Sequence, residues 1–95
     1  MGMYRDLYEE NGYIELIPLV HKAMENGNYG NYMTSMRNVV MFLGYAQGWD
    51  TLKATSEQWG LHPSTISKIF TRLAERTLQY EDQILAGDET LDILV

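Results

Sequence analysis

The chain has 95 residues, of which 45% are hydrophobic, and it carries a formal net charge of −6. That length suits one small domain, and the lack of cysteine excludes disulfides, thiolate metal sites and a cysteine nucleophile. No apolar run approaches the roughly 18–20 residues of a membrane span, and no signal-peptide pattern is present, so we expect a cytoplasmic protein.

The first residues predict a short helix, because Tyr4, Leu7 and Tyr8 have helical spacing and Asn11-Gly12 follows them. A second helix is predicted within the stretch YIELIPLVHKAMENG, residues 13–27. Its expected inner face consists of apolar residues at helical spacing: Ile14, Ile17, Val20, Ala23 and Met24.

Within that second helix, Pro18 is expected in the first turn, where its missing N–H costs nothing, and Gly27 is expected at the end. The stretch NGNYGN that follows contains three asparagines and two glycines, which favour turns over packing. Residues 1–31 therefore predict two helices and a loop.

A strongly periodic helix is predicted from Tyr32 to a stop at Gly48. Its expected inner face is Met33, Met36, Val39, Val40, Leu43 and Ala46. Met24 and Met41 are also expected to fill the core. Trp49, just after the helix, and Trp59 are both expected to pack against helices.

Two more helices complete the prediction. Asp50 or Thr51 is expected to cap a helix that ends at Gly60. The last helix opens at His62-Pro63 and runs to about Leu85. Its apolar stripe contains Ile66, Ile69, Phe70, Leu73, Thr77, Tyr80 and Ile84.

The predicted fold class is therefore all-α, with about five helices in a single domain over residues 1–95. A trihelical helix-turn-helix core would cover residues 32–85. The N-terminal helices and loop (1–31) would extend it, and an acidic, then apolar tail (86–95) would follow.

The segment Leu52–Thr71 has the spacing of a helix-turn-helix. Ser56 stands four residues before Gly60, where two helices cross closely, and Leu61 follows as an anchor. GLHPSTISKI resembles the Gly-Val-Ser-Pro-Ser-Thr-Val-Ser-Arg-Val consensus of bacterial and phage helix-turn-helix regulators. His62 departs from it, standing where a capping serine is usual. The three helices together resemble the trihelical unit of sigma factor region four.

The resemblance implies a sequence-specific DNA-binding transcriptional regulator whose second motif helix enters the major groove of double-stranded DNA. In that family pattern, Lys68 would reach guanine acceptors, while Lys53 and Arg72 would hold phosphates. The candidate DNA-binding residues are Lys53, Pro63, Ser64, Ser67, Lys68, Thr71 and Arg72.

The charge distribution is compatible with such an interface. Residues 53–76 contain four basic and two acidic residues, whereas residues 77–95 contain five acidic residues and no basic one. Because salt screens charges more than about 8 Å apart, a basic face can act locally on an acidic body.

A single module of this kind binds DNA weakly, so we expect a homodimer or recruitment by another protein. The candidate dimer surfaces are the N-terminal Tyr/Leu face and the apolar tail, Leu91 to Val95.

An enzyme is not expected, and neither a metal nor a cofactor. His21 and His62 lie on different elements, and adjacent acidic residues point in different directions on a helix. Two alternatives remain open. One is a phage-type inhibitor or adaptor that binds RNA polymerase or a host defence complex through its acidic surface. The other is a small subunit of a DNA-packaging or replication machine.

Overall fold

The computed structural model describes residues 2–25 and 35–86, and every regular element in these ranges is helical. The prediction of an all-α fold with about five helices is confirmed. The elements are α1 (Met3–Asn11), a 3₁₀ turn (Tyr13–Leu16), α2 (Ile17–Glu25), α3 (Met36–Ala46), α4 (Leu52–Trp59) and α5 (Pro63–Gln79). A further helical segment, 81–86, follows a break at Tyr80.

The ends of α3 and α4 are set by local chemistry. The hydroxyl of Ser35 accepts the backbone N–H of Asn38 at 3.3 Å, and that of Thr51 accepts the N–H of Ala54 at 3.0 Å. Thr51, rather than Asp50, is therefore the cap of α4. The predicted start at Tyr32, the inner-face residue Met33 and the stop at Gly27 lie outside the described residues.

The N-terminal extension belongs to the same hydrophobic core as the three later helices. Leu16, Leu19, Val20 and Ala23 have no exposed surface. They share one cluster with buried residues of α3, of α5 and of the segment 81–86: Val39, Met41, Phe42, Ile66, Phe70, Leu73, Ala74, Leu78 and Ile84. Helices α3, α4 and α5 also contact one another pairwise.

The predicted inner face of the second helix was wrong at its start. Ile14 is 54% exposed, whereas Leu16 is fully buried. Residues 13–16 form a 3₁₀ turn with about three residues per turn, which changes the faces on which these side chains lie. Pro18 lies in the first turn of α2, as predicted.

The predicted face of α3 was wrong at Met36 and Val40, whereas Val39 is buried as predicted and Leu43 and Ala46 pack against the core. Met36 and Val40 are 40% and 48% exposed, while Asn38, Met41 and Phe42 are buried beside Val39. Apolar residues occupy both sides of α3, so spacing alone does not choose between them. The side that carries Phe42 is the one turned towards the aromatic residues of the core.

Those aromatic residues form a cluster around Tyr13. Its ring meets Phe42 edge-on at 5.3 Å and Phe70 at 6.1 Å, and it stacks on Tyr8 at 5.6 Å. Tyr45 stacks on Phe70 at 5.1 Å. Such pairs add roughly 0.5–1.5 kcal/mol each beyond simple burial. The cluster joins α1 and the 3₁₀ turn to α3 and α5.

Two buried threonines satisfy their hydroxyls within their own helices. Thr55 donates to the carbonyl of Thr51 at 2.8 Å, and Thr77 donates to that of Leu73 at 2.7 Å. Their methyl groups can therefore enter the core without leaving an unpaired polar group. Thr77 belongs to the apolar stripe predicted for the last helix.

In the described ranges, none of the helices has the length and apolar character needed to cross a bilayer. The same ranges contain no group of three His, Asp or Glu side chains placed to hold a metal ion.

Candidate nucleic-acid interface

The turn between α4 and α5 is built around Gly60, which has φ 67° and ψ 30°, the left-handed conformation that glycine adopts at least cost. The carbonyl of Ser56 accepts the N–H groups of Gly60 and Leu61. The Ser56 hydroxyl in turn donates to the carbonyl of Leu61. These bonds fix the angle at which the chain leaves α4.

His62 caps α5. Its Nδ1 accepts the backbone N–H of Ser64 at 3.1 Å, and its carbonyl accepts the N–H groups of Thr65 and Ile66 at 3.0 and 3.1 Å. Pro63 occupies the first helical position, where it has no N–H to satisfy. The imidazole therefore performs the capping role usually given to serine.

The same cap also orients Ser64. Since Nδ1 acts as an acceptor, the neutral ring carries its proton on Nε2. The Ser64 hydroxyl, 2.8 Å from Nδ1, then donates to it. This leaves the hydroxyl oxygen of Ser64 as an acceptor and the His62 Nε2–H as a donor, both on exposed residues at the start of α5.

Helix α5 separates a buried face from a polar one. Ile66, Phe70 and Leu73 are at most 1% exposed. The outer face carries exposed residues that were predicted to contact DNA: Ser64, Ser67, Lys68, Thr71 and Arg72. At about 100° per residue, Lys68 lies near the middle of this face. We call these five residues the α5 outer face.

Four members of the α5 outer face border one shallow depression of about 350 Å³: Ser67, Lys68, Thr71 and Arg72. Glu75 completes its lining, and the sequence reasoning had not assigned that residue to the site. Its position, seven residues after Lys68 and four after Thr71, places it on the same side of the helix. A carboxylate there opposes a polyanion at the C-terminal end of the face.

Glu75 also links the site to the N-terminal extension. The pKa of Tyr8 is raised, first by burial, then by Tyr13 and by the negative charge of Glu75. Tyr8 of α1 therefore lies within electrostatic reach of Glu75 on α5.

The other two predicted site residues lie outside the α5 outer face. Lys53 is exposed at the second position of α4, beside the Thr51 cap. Lys53 therefore lies in the first turn of α4, at the positive end of the helix dipole, which favours an anion. Pro63 is half-buried and serves mainly to start α5.

The two tryptophans differ. Trp59 packs against the core, as predicted, but Trp49 is 76% exposed, so the expectation that it packs against helices was wrong. It directly follows Gly48, which lies two residues after the end of α3 and has φ 81°. Apolarity alone did not distinguish Trp49 from Trp59 in the sequence.

Helices α5 and α1 carry net charges of opposite sign. Helix α5 carries Lys68, Arg72 and Arg76 against Glu75, whereas α1 carries three acidic residues and one arginine. The outer face of α5 thus presents hydroxyls and two cations, a combination able to contact phosphates and base edges. Comparison with protein-family models, with curated proteins and with solved structures found no match to this chain.

Proposed function

We propose that the chain is a sequence-specific DNA-binding transcriptional regulator of the helix-turn-helix type, in which α5 enters the major groove. The observation that carries this proposal is the exposure of the α5 outer face on a helix whose opposite side is locked into the core. Had that face been buried, no duplex could reach it.

The chemistry of the face suggests a division of labour. Lys68, near its centre, has the reach to donate to the O6 and N7 acceptors of guanine. Ser64, Ser67 and Thr71 are short enough to let the helix approach base edges closely. Arg72 and, from α4, Lys53 would contact phosphates and hold the helix in register.

The net charge of −6 weakens the attraction to DNA at long range. At physiological salt, however, charges beyond about 8 Å are largely screened, so α5 acts mainly through its own cations. We therefore expect modest affinity for one copy and a strong dependence on salt.

The test begins with selection of bound sequences from random duplex DNA at two salt concentrations. The regulator function predicts one enriched motif. Lys68→Ala should then weaken binding and relax preference at one or two base pairs, by about 1–3 kcal/mol each. Lys53→Ala should weaken binding to all sequences and reduce the salt slope by about one.

Arg5→Ala provides the matched control, because it removes one exposed cation from α1. It should change neither the motif nor the salt slope. Absence of any enriched motif at low salt, or equal effects of Lys68→Ala and Arg5→Ala, would contradict the proposal.

The second candidate function is an inhibitor or adaptor that binds a basic protein surface. The exposed carboxylates of Glu9 and Glu10 on α1 favour it. In that case Glu9→Lys with Glu10→Lys should abolish partner binding, while Lys68→Ala should have no effect. Glu81 is unsuitable for such a test because it is only 6% exposed. Asp88 lies outside the described residues.

A further inference from the structure

A polar cavity of about 290 Å³ lies between the start of α1 and the region where α5 gives way to the segment 81–86. Six residues line it: Gly2, Arg5, Leu78, Gln79, Glu81 and Asp82. The volume is at the lower end of the range for small-molecule sites, so the cavity suits a small metabolite. Its two sides come from opposite ends of the described chain.

Of these six residues, Glu81 alone combines a charge with deep burial. It is 6% exposed, and within residues 2–25 and 35–86 its Oε1 has no hydrogen-bond partner. Both carboxylate oxygens face Gly2, which also lines the cavity and whose lack of a side chain keeps the space beside them clear. An ionised carboxylate can accept about four hydrogen bonds. Glu81 therefore offers the cavity a strong acceptor that a charged donor would satisfy.

The cavity carries charges of both signs. Arg5 and Asp82 are exposed whereas Glu81 is buried, so the first two lie towards its mouth. The two carboxylates exceed the single guanidinium by one charge. A ligand complementary to this set carries one anionic group for Arg5 and two cationic groups for the carboxylates.

A metal ion fits this lining less well. Calcium takes about six to eight oxygen ligands, whereas the side-chain oxygens here are those of two carboxylates and the Gln79 amide. Arg5 would also repel a bare cation. A primary ammonium group has three N–H donors, and the molecule that carries it can present an anionic group to Arg5.

We propose that this cavity binds a free α-amino acid with a cationic side chain, such as lysine or arginine. One cationic group donates to Glu81, the ligand carboxylate pairs with Arg5, and the second cationic group lies at Asp82. The ligand supplies the donor that the buried carboxylate lacks, so binding offsets the cost of burying it. The bound molecule joins α1 to the segment 81–86.

Isothermal titration calorimetry of the full chain, with L-lysine and L-arginine up to about 10 mM, tests the proposal in the range of weak ligands. Because no DNA is present, the result does not depend on the proposed function. Saturable binding of at least one is expected, together with a melting temperature that rises with its concentration. If neither amino acid binds at the highest concentration, the proposal is overturned.

Ligand analogues test the role of each group. Cadaverine lacks the carboxylate of lysine, and norleucine lacks its side-chain ammonium. Each should bind at least about tenfold more weakly than lysine, because each loses one charged contact. Equal affinity for lysine and cadaverine would contradict the pairing with Arg5.

Glu81→Gln keeps the shape of the side chain but removes its charge, and it should weaken binding of the amino acid at least about tenfold. Glu10→Gln is the matched control, since Glu10 is an exposed carboxylate of α1 outside the cavity lining. It should leave the affinity unchanged, and circular dichroism checks that both variants are folded. Equal affinities of the two variants would place the ligand somewhere other than this cavity.

Arg5→Gln changes an exposed residue, so the fold should be kept. It should weaken binding of lysine about tenfold and leave binding of cadaverine unchanged or stronger, since the diamine has no group for Arg5. This result tests the cavity even if Glu81→Gln does not fold. An Arg5→Gln variant that binds lysine as tightly as the parent chain would overturn the proposal.

Discussion

The carboxylate of Glu81 lies directly against Gly2, so that a β-carbon on Gly2 would stand only 2.0 Å from Oε2. This contact joins the start of α1 to the helical segment 81–86. Glu81 is 6% exposed, and its Oε1 has no hydrogen-bond partner within the described part of the chain. A buried carboxylate oxygen without a donor costs free energy that folding must supply from elsewhere.

Replacing Glu81 with methionine should therefore raise the free energy of unfolding by about 1 kcal/mol, since a flexible apolar side chain suits the site better than a buried carboxylate with one oxygen lacking a donor. Urea denaturation measures the change. Asp82→Asn removes a neighbouring but exposed charge and should alter stability by less than about 0.5 kcal/mol. A destabilised Glu81→Met variant would indicate that the carboxylate has a stabilising role.

Gly60→Ala should lower the free energy of unfolding by about 1–2 kcal/mol. A β-carbon at Gly60 would meet nothing within 4 Å, so the loss comes from the left-handed backbone alone. Gly60→Asn, which tolerates this conformation better, should lose less. Thermal melting of the parent chain and the two variants gives their order of stability. Equal melting temperatures would show that the left-handed conformation at position 60 does not require glycine.

His62→Ala should lower stability by about 1 kcal/mol, because the N–H of Ser64 loses its acceptor. His62→Ser should retain or improve stability, since a hydroxyl caps a helix at least as well as an imidazole. Chemical denaturation at neutral pH checks both. If alanine and serine prove equivalent at position 62, the cap contributes nothing measurable.

The raised pKa of Tyr8 predicts that the protein loses stability at alkaline pH. Burial, assisted by Tyr13 and Glu75, raises the pKa of Tyr8 in the folded state above its ordinary value near 10. The folded state therefore holds the phenolic proton more tightly than the unfolded state. This contribution is complete below about pH 10 and is lost as the pH rises through the folded pKa.

Urea midpoints measured at pH 8 and at about pH 11 should show a smaller alkaline decrease for Tyr8→Phe than for the parent chain. Tyr4→Phe serves as the control. Phenylalanine at position 8 should keep the ring that stacks on Tyr13, which lies 5.6 Å from the ring of Tyr8 between centroids. An unchanged alkaline decrease would show that Tyr8 is not its source.

The sequence predicted the structure correctly at positions where one residue type determines the local backbone conformation. Glycine at position 60 and proline at 63 each favour one local conformation for a stated reason, and each has that role in the structure. The cap of α4 was predicted at Asp50 or Thr51, and the structure has it at Thr51. The residues of the α5 outer face followed from those points, because the helix start fixes which side chains lie opposite Ile66 and Phe70.

Long-range packing accounts for what the sequence did not show. The inner side of α3 depends on Tyr13, which is distant in sequence, and on the aromatic contacts it makes with Phe42. The break at Tyr80, with φ −103° and ψ 16°, has neither glycine nor proline to mark it. Glu75 belongs to the site because of its position on the helix. Its acidic side chain gave no reason to assign it to a DNA-binding face from the sequence.

The contrast between the two indoles gives the molecule a built-in optical reporter. Trp49, 76% exposed, should emit at long wavelength and be quenched readily by iodide, whereas Trp59 should emit further to the blue. If a partner binds over Trp49, the Trp49 indole should become less accessible to iodide while the emission of Trp59 stays unchanged. Binding at that surface can therefore be detected without an added dye.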